Sequence, residues 1–85
     1  MKIIQEDLQK ISKGWMVTFF IDLNLKELQL LQDKYSPYLR DYELIIQDNK
    51  VYLKRYFEKL EPWEDETPEA VVKSIELELN SLLNP

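Results

Sequence analysis

The chemistry open to a chain is set first by the side chains it owns. This one has 85 residues, no histidine and no cysteine. The commonest general base and the commonest transition-metal ligand are therefore missing, along with thiolate nucleophiles, thiolate metal sites and disulfides. A single glycine, Gly14, rules out the glycine-rich loops that cradle phosphates. A serine nucleophile would need a base other than histidine, and no carboxylate pair stands out beside an apolar run. The composition points away from an enzyme, and neither a metal nor a cofactor is expected.

Three groups of residues could bind instead. The densest is Glu58-Lys59-Leu60-Glu61-Pro62-Trp63-Glu64-Asp65-Glu66. Its carboxylates could hold a cation, or mimic nucleic-acid phosphates before a basic protein surface. A calcium loop needs oxygens at regular offsets and usually a glycine for its turn, which this stretch lacks. The plainer reading is a solvated loop whose acids favour the N-terminus of the next helix. Trp63, beside Glu64, Asp65 and Glu66, would anchor a partner if exposed. Folded back, the plainer reading, it would close one end of the core.

The second group is Lys50, Tyr52, Lys54 and Tyr56, which alternate along one face of a strand, with Phe20 a candidate neighbour on an earlier strand. Aromatics interleaved with lysines on an open sheet can stack bases and hold phosphates. The third is Leu30 and Leu77, each pointing away from the apolar stripe of its helix. Exposed leucines are ordinary singly, but on one surface these two would form a dimer or partner patch.

These residues need elements to position them. Ile4, Leu8 and Ile11 recur at i, i+4, i+7, which predicts a helix over residues 3–13 capped by Gly14, with a strand beginning at Lys2 to Gln5 as the alternative. Residues 15–23 read as a strand, with Trp15, Val17, Phe19 and Ile21 on one face and Met16, Thr18 and Phe20 on the other. Asn24 and Glu27 form a capping-box pattern that opens a second helix. Its buried stripe is Leu25, Leu28, Leu31, Tyr35 and Leu39, and Pro37 ends or kinks it near Ser36.

Residues 42–47 and 50–57 flank Asp48-Asn49, both tolerant of positive φ, and so predict a hairpin. Its register pairs Ile46 with Val51 and Leu44 with Leu53 on one face, and Ile45 with Tyr52 and Glu43 with Lys54 on the other. Thr67-Pro68-Glu69 starts the last helix, whose apolar face is Val71, Val72, Ile75, Leu79, Leu82 and Leu83.

The expected architecture is a single α+β domain over residues 1–85, in the order α-β-α-β-β-α. It has a three-stranded antiparallel or mixed sheet in the order 1-3-2, with two helices on one face and an N-terminal helix on the other. This is a ferredoxin-like arrangement lacking one strand, a likeness that carries no function. The N-terminal helix is expected to lay Ile4, Leu8 and Ile11 over Met16, Thr18 and Phe20, unless a second copy of the chain covers them.

Net charge is −5, with residues 1–57 at +1 and residues 58–85 at −6. That excludes a strongly basic protein but not a local basic patch. No apolar run approaches a membrane span and no signal-peptide core is visible, so a cytoplasmic location is expected. The expected function is a non-catalytic module acting on a protein partner or on itself. A small regulator or inhibitor from a virus or mobile element would fit, as would an accessory subunit. The alternative is a single-stranded nucleic-acid binder using the hairpin face.

Overall fold

In a computed structural model of the chain, which describes residues 1–58 and 67–85, the N-terminal segment is a strand. β1 (Lys2–Ile11) turns through Ser12-Lys13 into β2 (Gly14–Asp22). α1 (Leu25–Leu30) follows, then β3 (Glu43–Gln47), β4 (Lys50–Glu58) and α2 (Pro68–Leu83). The four strands form one antiparallel sheet in the order β1-β2-β4-β3. The expected three-stranded sheet and N-terminal helix are corrected by this arrangement, and the incomplete ferredoxin-like comparison falls with them.

The physical reason lies in a bulge. The pairing of β1 with β2 shifts between Gln5 and Asp7, so Ile3 faces Ile21 and Leu8 faces Val17. Ile3 and Leu8 thus share the core side despite an odd spacing that no regular strand allows. The extra residue breaks the period-two alternation and leaves Ile4, Leu8 and Ile11 looking helical. Pairing along β2 overrides that local preference.

Gly14 is correspondingly not a helix cap but the first residue of β2, without positive φ. Its role is close approach, because a Cβ there would overlap the Phe57 carbonyl oxygen of β4. Beside it the Trp15 and Phe57 rings stack at 5.8 Å and close that end of the core.

The second hairpin has the expected register, Ile46 opposite Val51 and Leu44 opposite Leu53. Asp48 and Asn49 turn it at φ 52° and 63°, the left-handed pair whose twist suits a two-residue hairpin. Asn24 caps α1 in a complete capping box with Glu27. The α-helix then stops at Leu30, widens into a π turn over Leu31–Tyr35 and tightens into a 3-10 turn over Ser36–Tyr38 that contains Pro37. Leu25, expected in the buried stripe, is instead 79% exposed. Thr67 caps α2 through its hydroxyl, which accepts from the Ala70 N–H at 3.2 Å.

Every buried side chain among the described residues lies on one side of the sheet. Val17, Phe19 and Ile21 of β2 and Val51 and Leu53 of β4 meet Leu31, Tyr35 and Leu39, and Val72, Ile75, Leu79 and Leu83 of α2. Apolar burial on that side is what joins helices to strands.

The two halves repeat one plan, a hairpin followed by a helix. Their registers match, Asp7 and Thr18 pairing as Glu43 and Lys54 do, and Gln9 and Met16 as Ile45 and Tyr52 do. Because β2 and β4 lie side by side, an approximate two-fold axis pierces the sheet at the Thr18–Lys54 pair. It exchanges Met16 with Tyr52, Phe20 with Tyr56 and Asp22 with Glu58. No repeat is visible in the residues themselves, since the matched positions differ in type.

Candidate functional site

Alternation along the strands sends every second side chain away from the helices. Across the sheet this builds a face of three rows. Ile4, Phe20, Tyr52 and Ile45 form the first, Asp7, Thr18, Lys54 and Glu43 the second, and Gln9, Met16 and Tyr56 the third. No helix among the described residues lies on this side, so the covering expected from an N-terminal helix is absent there. Ile4 and Ile11, meant to supply that cover, are part of the face, while Leu8 packs into the core.

The middle of the face is aromatic and apolar. The Phe20 and Tyr52 rings lie 5.6 Å apart, tilted by 53°. Met16, Thr18, Phe20, Ile45, Tyr52 and Lys54 are half-buried by one another, and Tyr56 is 41% exposed. Glu6 and Asp7 of the bulge, with Thr18, Ile45, Gln47, Tyr52 and Lys54, line a shallow open depression. Phe20, Lys50, Tyr52, Lys54 and Tyr56 do share one face, as the spacing suggested. The sequence reading missed what β1 contributes, above all Glu6 and Asp7. Only a bulge-tolerant reading of residues 2–11 as a strand would have found them.

The face is not basic. Lys2, Lys50 and Lys54 are outnumbered by Glu6, Asp7, Asp22, Glu43 and Glu58. Among the described residues the ion pairs are Met1 ammonium–Glu27 at 3.1 Å and Arg55–Glu78 at 3.8 Å. The acids of the face are thus without an ion-pair partner there.

The other candidates lie off the open face or outside the described residues. Leu30 is 42% and Leu77 68% exposed, on separate helices, and α2 runs nearest to β1 and the π turn. Trp63, Glu64, Asp65 and Glu66 lie outside the described residues. A wider hollow lined by Leu23, Asn24, Leu25, Lys26, Leu28 and Asn49 opens beside α1. Its Asn24 carbonyl is engaged in the helix cap, and no pair of titratable groups converges there.

Among the described residues two groups have displaced proton affinities, and neither is on the open face. The Asn24 backbone N–H, and after it the Met1 ammonium, hold the Glu27 carboxyl below its usual range. Burial raises the Tyr42 phenol, opposed by Arg55, which donates to its oxygen at 3.1 Å and lies over its ring. Both arrangements tie elements together. Among the described residues no group of histidine, cysteine or acidic side chains is placed to hold a metal, and no helix is long and apolar enough to cross a membrane.

No family model, curated protein or solved structure matches the chain.

Proposed function

We propose that the chain is a non-catalytic binding module that holds a protein partner on the open face of its sheet, as a small cytoplasmic regulator, inhibitor or accessory subunit would. The observation that carries this reading is the row Ile4–Phe20–Tyr52–Ile45, an aromatic and apolar stripe across all four strands with no described element over it. An apolar centre with a polar border is the anatomy of a protein interface, and aromatic side chains are enriched at such centres. The lack of histidine and cysteine agrees with binding as the activity.

A nucleic-acid reading draws on Tyr52, Tyr56, Lys50 and Lys54 sharing one strand face with Phe20. It is opposed by the surplus of acids there, because phosphate binding depends on net positive charge.

Two measurements separate these readings. A labelled single-stranded oligonucleotide at low salt should show no binding by anisotropy. A protein captured by the chain at fixed stoichiometry should be lost with Phe20→Ala and Tyr52→Ala but kept with Leu77→Ala. Oligonucleotide binding that weakens with salt and disappears in Tyr52→Ala would replace the protein reading with the nucleic-acid one. Capture indifferent to both open-face changes would move the site elsewhere.

A further inference from the structure

Resting on the reading that the open face holds a protein, we infer that the partner presents an apolar patch bordered by lysine or arginine side chains. The argument is the placement of charge about the approximate two-fold axis. Asp7 and Glu43 are exchanged by that axis and stand at opposite ends of the central row. Asp22 and Glu58 are exchanged by it too, at the ends of β2 and β4. Acids therefore flank the face on both sides and at the Glu58 end, whereas Asp22 at the opposite end stands between Lys2 and Lys50. Inside them lie Met16, Phe20, Tyr52 and Tyr56, with Thr18 and Lys54 on the axis.

This border decides between occupants. A second copy of the chain, docked face to face, sets a face of five acids and three lysines against the same set, and this net like charge costs affinity. A nucleic acid meets the same repulsion. A membrane headgroup layer of anionic lipid does so as well. A protein surface with an apolar centre and basic surround satisfies both parts of the face at once. The acids have no ion-pair partner among the described residues, so they are available to such a partner. Their contribution is expected mainly in the rate of encounter and in rejection of wrong partners.

The test is a titration of the whole isotope-labelled chain, followed through backbone amide shifts. Two synthetic peptide probes are used, one alternating lysine with leucine and one alternating glutamate with leucine. The first should bind saturably, move the resonances of Met16, Thr18, Phe20, Tyr52 and Tyr56, and weaken as salt is added. The second should leave them in place. The double change Asp7→Lys with Glu43→Lys, both at exposed positions, should weaken the lysine peptide by roughly three- to tenfold.

Equal binding of both peptides at this face would overturn the basic-border inference while leaving the open face as the site. Shifts confined to α1 and α2 would overturn both. Sedimentation showing self-association that Tyr52→Ala abolishes would replace the basic partner with a second copy.

Discussion

Phe20 and Tyr52 face each other across β2 and β4, on the side of the sheet opposite the helices, with ring centroids 5.6 Å apart. Their neighbours in sequence, Phe19 and Leu53, pair one step along and are fully buried. Function and stability should therefore separate residue by residue along one strand. Leu53→Ala removes a core side chain and should cost about 2–5 kcal/mol. Tyr52→Ala loses only half-buried contacts and should cost less. Urea midpoints of the two variants check this, and a larger loss for Tyr52→Ala would invert the assignment of faces.

Gly14→Ala should destabilise although it adds only a methyl group. The new Cβ has no room beside the Phe57 carbonyl and the Glu58 Cα, so β2 and β4 must separate where the Trp15 and Phe57 rings stack. Overpacking of this kind costs about 1–3 kcal/mol. An unchanged thermal midpoint would show that the strands are farther apart at this end.

The helix starts should respond to loss of their caps. Thr67→Ala should cost about 0.5–2 kcal/mol, read from denaturant midpoints. A midpoint equal to that of the parent would place the start of α2 elsewhere.

Glu27 adds a pH dependence to the same account. Its folded pKa is lowered, so the folded state binds its proton less readily than the unfolded chain. The stability it contributes is present above the unfolded carboxylate's range and is lost as pH falls through the lowered folded value. Glu27→Gln should flatten the acid limb of a stability–pH curve. A limb of unchanged slope would mean the cap contributes nothing there.

Much of the fold was legible where local chemistry and packing agree. The Asp48–Asn49 turn, the register it sets, the capping box of Asn24 and the Thr67–Pro68 helix start are all carried by residues adjacent in sequence. The first hairpin was hidden because Ser12-Lys13 closes it without positive φ, and because the bulge near Glu6 scrambles the alternation of β1. Leu25 was misplaced because a stripe drawn through a whole helix ignores its first turn, which projects past the sheet into the hollow beside Asn49. The hairpin half of the open face could be read from Tyr52 and Lys54, whereas the β1 half depended on a strand pairing that no short motif announces.

Removal of residues 1–11 should do more than trim an end. It takes away the partner of β2 and the core contacts of Ile3 and Leu8. β2 would become an edge with apolar side chains on both faces, a template for pairing with other chains. The truncated chain should melt earlier and self-associate, as calorimetry and sizing would report. A truncated chain as stable and as monomeric as its parent would mean that β1 is not part of the cooperative fold.

Hydroxyl-radical footprinting tests most directly the claim that the helix-free side of the sheet is the binding face. In the free chain, Met16, Phe20, Tyr52 and Tyr56 should be labelled while Phe19 and Leu53 are spared. In complex with the captured partner, those four should become protected while Tyr38 and Leu77, exposed on the rest of the molecule, keep their reactivity. Protection of the four in the isolated monomer, or unchanged labelling of them in the complex, would contradict the account.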